Sequence, residues 1–339
     1  MLIYAIQLLG GFLLLVWAAD RLVAGASATA RNLGVSPLII GLIIVGFGTS
    51  APELVVSAVA AARGNEGLAV GNAIGSNIAN MGLVLGFTAI IYPLKLESST
   101  LKREYPLLLL VMLLSLFFAI DNQLTQMEGA LLLIALFAMI AWLVRFGMQR
   151  PDTDPFAQEL EAEIPTDIPT RVAVFWLLIS MITLPASSHF LVEGAVGIAQ
   201  ILNVSDTVIG LTIVAFGTSL PELATAITSA FRKEDDIAIG NIIGSNMFNL
   251  LGVLGIAAAI RPVEVQPMLL GRDFPVMFLL TGLMFLLASD FRGPGRIGRL
   301  AGALLLTIFI GYQAMVWLGA GDPAGDTQAM VVTVMGGAA

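Results

Sequence analysis

Two glutamates, Glu53 and Glu222, stand inside long apolar runs and carry almost the same peptide around them. GFGTSAPEL at 46–54 returns as AFGTSLPEL at 215–223, an offset of 169 residues in a 339-residue chain. A carboxylate in apolar surroundings is costly and normally functional. Thr49, Ser50, Thr218 and Ser219 place hydroxyls beside the acids. A second repeated peptide follows each first one: GNAIGSNIAN at 71–80 matches GNIIGSNMFN at 240–249. Ser76 and Asn80 lie four residues apart, as do Ser245 and Asn249, so each pair shares one helix face. Carboxylate, hydroxyl and amide oxygens form the ligand set that hard cations such as Ca²⁺ and Na⁺ prefer. No Lys, Arg or His falls in residues 33–62, 64–94, 204–231 or 234–260. Glu53 and Glu222 are therefore either protonated or balanced by a bound cation.

The elements that hold these residues follow from the prolines and glycines. Pro52 and Pro221 remove an N–H and clash with the carbonyl four residues back, Gly48 or Gly217. Gly46, Gly48 and Gly217 weaken the helix further. The helix is expected to break near the bilayer centre, which is tolerated only where the backbone is buried in protein or lines a cavity. Gly71 with Gly75, and Gly240 with Gly244, are small-xxx-small pairs suited to close helix packing.

Composition places the whole chain in a membrane. Hydrophobic residues make up 58 % and charged residues 12 %, against roughly 25 % charged in a soluble domain. Mean hydropathy is +0.93. Apolar runs long enough to cross about 30 Å of hydrocarbon recur near 3–25, 37–62, 68–92, 105–120, 127–147, 171–200, 206–230, 237–260, 274–289 and 298–318. With no cysteine and one histidine, disulfides, thiolate chemistry and multi-histidine metal sites are excluded. The first run lacks a basic n-region and reads as a retained helix rather than a cleaved signal. Over these spans, all of the 16 Lys and Arg residues but Arg63, Arg261 and Arg272 fall on one side. The positive-inside rule makes that side cytoplasmic and puts both termini outside.

Five spans per half is an odd number, so the second half enters the membrane from the opposite face. The fold class is an all-α integral membrane protein of ten helices in two inverted five-helix repeats. Residues 35–86 and 204–255 agree at about half of their positions without a gap. Pro93, Arg103 and Pro106 recur as Pro262, Arg272 and Pro275. The organisation reads as a first repeat over 1–147, an acidic cytoplasmic linker over 148–170, a second repeat over 171–319 and a flexible extracytoplasmic tail over 320–339. The linker's acidic residues lack the spacing of an EF-hand loop and read as a solvated face. His189, at the repeat position of Asp20, is read as one half of an interhelical hydrogen bond, and Glu193 as a secondary site candidate. GFG at 46–48 lacks the lysine and the strand context of a phosphate loop.

GTSxPEL followed by GNxxGSN, present twice, resembles the pair of alpha repeats of the cation/calcium exchanger superfamily, and looks closest to its bacterial sodium/calcium antiporter branch. The resemblance implies countertransport of Ca²⁺ against Na⁺ by alternating access, with no cofactor, no enzymatic activity and no nucleic-acid partner. Membrane lipid is the surroundings, a monomer is the expected functional unit, and the bacterial cytoplasmic (inner) membrane is the location. Its ion ligands fall on the side chains of Thr49, Ser50, Glu53, Ser76 and Asn80, and of Thr218, Ser219, Glu222, Ser245 and Asn249. Backbone carbonyls near Gly46 and Ala215 complete the set. In the family the first and sixth helices, here roughly 3–31 and 171–201, slide across the remainder. Asn249 stands where many exchangers have an acidic residue, which leaves a core charge of about −2. An H⁺/Ca²⁺ or K⁺-dependent exchanger on the same fold is the alternative, and a passive cation channel is the alternative of a different class. A membrane-embedded hydrolase lacks its nucleophile and metal cluster here.

Overall fold

A computed structural model describes residues 2–35, 37–64, 66–96, 104–147, 168–201, 215–288 and 295–320. Most of the linker, the tail beyond 320 and the opening of the second alpha repeat lie outside the described residues. In chain order the helices are α1 (Leu2–Leu33), α2 (Gly41–Thr49), α3 (Ala51–Ala62), α4 (Gly67–Ile91), α5 (Glu104–Ala119), α6 (Gln126–Gly147), α7 (Thr170–Ile201), α8 (Ala215–Thr218), α9 (Leu220–Phe231), α10 (Asp235–Ile260), α11 (Leu269–Ala288) and α12 (Arg299–Ala320). Among the described residues, seven helices are long and apolar enough to cross a membrane, and the bent pair α2–α3 makes an eighth crossing. The shorter apolar α5 and the broken pair α8–α9 complete the ten-span pattern.

The two prolines break their spans as expected. The axis turns by 51° between α2 and α3. The hinge residues Ser50 and Ser219 adopt nearly the same backbone, φ −83°, ψ 4° and φ −88°, ψ 1°. Pro93 and Pro262 stop α4 and α10. The residue before each is extended, Tyr92 at φ −134° and Arg261 at φ −151°, because a following proline disfavours the α region.

Burial separates the bundle into a core and a flank. The membrane-spanning window of α10 is 89 % buried and that of α4 67 %, whereas those of α1 and α7 are 22 % and 28 % buried. Thus α4 and α10 form the centre, with the broken helices against them. The helices α1 and α7, each 32 residues long, pack antiparallel along one another. Glycines permit that approach: a Cβ on Gly11 would lie 2.6 Å from Leu191 N, one on Gly25 2.8 Å from Ala173 O, and one on Gly194 2.5 Å from Leu8 N.

Two short strand pairs, not expected in an all-α reading, join the halves at the ends of the bundle. Leu94–Leu96 (β1) pairs antiparallel with Gly295–Ile297 (β4), and Gln123–Leu124 (β2) with Val263–Glu264 (β3). Lys95 faces Arg296 in the first ladder. In the second half, Arg261 adjoins Gly64, next to Arg63. These pairs keep basic residues of the rich side with one another and those of the poor side likewise.

The glycine motif of α10 is a packing device. A Cβ on Gly244 would meet the Leu42 carbonyl oxygen of α2 at 2.1 Å, and the obstruction is backbone, so α2 cannot move aside cheaply. Gly244→Ala is expected to lower the thermal melting midpoint in detergent by the equivalent of about 1–3 kcal/mol or more, the cost of overpacking. Gly311→Ala on the exposed side of α12, where an added Cβ meets nothing within 4 Å, should leave the midpoint unchanged. Equal midpoints for the two variants would count against the close α2–α10 contact.

Candidate functional site: a buried oxygen cluster between inverted repeats

The carboxylates sit one turn past the two helix breaks, at the start of α3 and α9. Glu53 and Glu222 are both fully buried, and Thr49, Ser50, Ser76, Asn80, Ser219, Ser245 and Asn249 are buried with them. Thr218 is partly buried on the last turn of α8, which Ala215 opens. The two repeats meet here. Ser50, three residues before Glu53, donates to Glu222 Oε1 at 3.3 Å. Thr49 Oγ1 lies 3.1 Å from Ser245 Oγ and donates to Asn241 Oδ1 at 2.9 Å. Thus α2 of the first repeat is stitched to α9 and α10 of the second.

The Gly46 carbonyl accepts the Ser50 N–H at 3.1 Å, and the Thr49 and Ser245 hydroxyl oxygens lie 3.3 and 3.4 Å from it. The helical bond therefore survives at Gly46, and the carbonyls that lose their partner to proline are those of Gly48 and Gly217. In the second repeat that loss is repaired from outside the core: Ser188 of α7 donates to Gly217 O at 2.7 Å. The repeat equivalent of Ser188 is Ala19, which has no hydroxyl to offer Gly48.

The acids themselves are poorly satisfied. Both carboxylate oxygens of Glu53 and Oε2 of Glu222 are buried without a hydrogen-bond donor among the described residues, as are Oδ1 of Asn80 and Oδ1 of Asn249. No ion pair to Glu53 or Glu222 occurs among the described residues. Buried polar atoms are almost always paired. The unpaired carboxylate and amide oxygens, which in this cluster outnumber the single unpaired amide donor, Asn241 Nδ2, match a ligand that is positive and takes oxygen, a hard cation. The side chain that α4 brings to the Glu53 main chain is neutral: Asn72 Nδ2 donates to Glu53 O at 3.1 Å and to Ser57 Oγ at 2.9 Å.

Secondary structure marks the same place. Both motif asparagines begin a π-helical turn, Asn80–Val84 and Asn249–Val253. Such single-turn π segments are rare and concentrate at functional sites.

The expectation for His189 is corrected. It does not bridge helices: its side chain is 70 % exposed and lies 3.1 Å from Glu193 on its own helix, one turn away. Glu193 is also exposed and takes a 3.4 Å bond from Gln7 of α1. Residues 189 and 193 share the outward face of α7, so neither joins the buried cluster. Four residues of the cluster were not singled out from sequence: Asn72, Asn77, Asn241 and Asn246. All lie inside the repeated GNxxGSN peptide, and their recurrence in both copies was the available signal.

Comparison with known proteins agrees with this geometry. The profile of the family described as "Sodium/calcium exchanger protein" matches residues 3–145 and 172–318. The chain belongs to the sodium/calcium exchanger family. It is similar to the putative antiporter CaxA of Alkalimonas amylolytica, 48 % identical over 94 % of this chain and 99 % of that one. It is also similar to the inner membrane protein YrbG of Escherichia coli K12, 43 % identical over 94 % of this chain and 98 % of that one. The fold superposes on a solved structure of the sodium-calcium exchanger NCX_Mj with a TM-score of 0.79 and 31 % identity, over 92 % of this chain and 98 % of that one. This exchanger is a multi-pass membrane protein of two inverted five-helix repeats and a cation antiporter, not an enzyme.

The Ser188 bond gives a direct check on the repaired break. Ser188→Ala leaves the buried Gly217 carbonyl without a partner and is expected to destabilise the protein by about 1–3 kcal/mol, read as a lower melting midpoint in detergent. Thr183→Ala, which removes an exposed hydroxyl bonded to its own helix at Ile179 O, should have little effect. A Ser188→Ala midpoint equal to that of the unmodified protein would show that the Gly217 carbonyl does not depend on α7.

Proposed function

We propose that this exchanger moves Ca²⁺ against Na⁺ through one midplane site built around Glu53 and Glu222. The observation that carries the reading is the pair of buried carboxylates with unpaired oxygens and no basic partner among the described residues. The ligands are the side chains of Thr49, Ser50, Glu53, Ser76, Asn80, Thr218, Ser219, Glu222, Ser245 and Asn249, with backbone carbonyls near Gly46 and Ala215. With amides rather than acids at positions 80 and 249, the site carries a charge of about −2. One Ca²⁺ neutralises it, and so do two monovalent ions. The two loads therefore compete for the same oxygens.

Competition gives the coupling. A site of charge −2 without its ion is unfavourable in a low-dielectric barrier, so closure over the site requires a full load. The empty protein stays open to one side, and leakage of one ion without return of the other is suppressed. The moving part is the α1–α7 pair, which lies outside the core and meets it along a seam of apolar side chains, among them Leu22, Ala26 and Leu184, with a few polar contacts beside it. The basic-rich face is the cytoplasmic one, both termini are extracytoplasmic, and the location is the bacterial cytoplasmic membrane. A single chain supplies both halves of the site, so a monomer suffices, in lipid. The stretch 148–170 is a cytoplasmic linker between the repeats.

Purified protein in proteoliposomes should accumulate radiolabelled Ca²⁺ when an outward Na⁺ gradient is imposed, and not in its absence. Glu53→Gln and Glu222→Gln should each abolish this uptake; normal transport by both would sink the site. Uptake that persists without Na⁺ and collapses with the pH gradient would make H⁺ the driving ion instead. Ca²⁺ flux that needs no counter-ion on the far side would identify a channel.

A further inference from the structure

Asn77 and Asn246 hold no ligand role in the reading above, yet both are buried in the centre of the bundle. Each meets an asparagine of the opposite repeat. Asn80 Nδ2 donates to Asn246 Oδ1 at 3.1 Å, and Asn249 Nδ2 donates to Asn77 Oδ1 at 3.2 Å. These are repeat equivalents, so one interaction occurs twice about the pseudo-two-fold axis. Asn77 and Asn80 are near enough on their own helix to interact. Both bonds instead cross between α4 and α10.

A primary amide has an acceptor end and a donor end of nearly equal size. Only the oxygen end can bind a cation. Turned end for end, the same side chain points two N–H groups at the ion and becomes repulsive without moving its centre. A neighbouring acceptor that holds Nδ2 decides which end faces inward. Asn80 and Asn249 show that outcome: Nδ2 is held, and Oδ1 is a buried acceptor with no donor among the described residues. One partner has its own orientation fixed from behind, because Asn77 Nδ2 donates to Met277 Sδ of α11 at 3.6 Å.

We propose that Asn77 and Asn246 are positioning residues which set, across the repeat boundary, which end of the Asn249 and Asn80 amides faces the cation. The proposal rests on the assignment of Glu53 and Glu222 to the ion site. It has a mechanical corollary. Each half's amide ligand is oriented by the other half, so α4 and α10 must keep their register throughout transport.

A double-substitution cycle separates this role from plain packing. Asn80→Asp replaces the two-ended amide by a carboxylate with oxygen at both ends, which leaves nothing to orient. In the otherwise unmodified protein, Asn246→Ala should raise the KM for Ca²⁺ by about 10–100-fold, the usual cost of losing the outer partner of a metal ligand. The maximal rate should change far less. In the Asn80→Asp background the same Asn246→Ala change should leave KM nearly where it was. Asn77→Ala and Asn249→Asp should behave the same way. Equal fold-changes in both backgrounds, or an unaltered KM in Asn246→Ala, overturn the proposal. If Asn246→Ala is not recovered folded, Asn246→Thr and Asn246→Val serve instead, since they differ only in the hydroxyl acceptor. Val must then raise KM more than Thr, and equal values overturn the proposal. Glu53→Gln and Glu222→Gln run alongside: normal transport there removes the ion site itself, whereas abolished transport with an additive asparagine cycle removes only the positioning role.

Discussion

The fold depends on how two carboxylates can exist inside a membrane protein with no basic residue to neutralise them. Burying a charge without a partner is among the largest penalties a protein can carry. Glu53 and Glu222 are fully buried, and the four core spans offer them hydroxyls and amides but no cation of their own. Most features of the centre follow from that constraint. The helices break so that hydroxyls and carbonyls gather at the acids. Glycines let α2 approach α10 until Gly244 lies against the Leu42 carbonyl. The two most buried spans carry polar motifs on their inward faces and apolar residues elsewhere. The cluster has no basic partner for its two acids among the described residues, and the proposed ionic cargo would supply the missing positive charge.

Much of this was legible in the sequence because the membrane makes it so. A span must be about 20 apolar residues, so the positions of the helices could be read from run length alone. An odd number of spans per half forces inversion, and Pro52 and Pro221 fix where two spans break. The pairings across the inverted repeats were not legible. An offset of 169 residues says that Asn77 and Asn246 are equivalent. It does not say that each faces the other half's Asn80 or Asn249, since that depends on the relative height and rotation of α4 and α10. The same is true of Ser188, whose partner became available only because Pro221 had freed a carbonyl on another helix. The outward position of His189 is not legible in the sequence for a related reason. Residue type gave a hydrogen-bonding group, but only the helical phase of α7 could show that it faces outward beside Glu193.

The strand pairs show how the inverted halves are held in register at their ends. Each pair joins a segment of one half to a segment of the other, and the two ladders lie at equivalent places in the two repeats. Backbone bonds suit that task because they fix spacing without adding charge near the spans. Inside the bundle the asparagine bonds cross between halves in the same sense. The core is thus one interlocked body, joined at both ends and at its middle, while α1 and α7 lie along it on an apolar seam supplemented by a few polar contacts.

Those contacts break the symmetry that the core preserves. Ser27 of α1 bonds to Glu234, and Asp20 forms an ion pair with Arg232, both on the turn between α9 and α10. The repeat equivalents of Asp20 and Arg232 are His189 and Arg63, and the equivalent of Ser27 is Val196, a residue type with no hydroxyl. An acid–base pair at one end is thus matched at the other by two basic residue types, which cannot form it. Likewise Ser188 caps Gly217 whereas Ala19 cannot cap Gly48. The division has a physical reason. In the proposed cycle the central oxygens would present the same ligand chemistry whichever face the site opens to, which fits the duplication preserved there. In the proposed alternating-access cycle the flanking contacts would be made and broken on one face at a time, so nothing in it requires the two ends to be equally strong. On that proposal, a site common to both faces with flanking contacts private to each would let near-identical halves work between two unlike solutions.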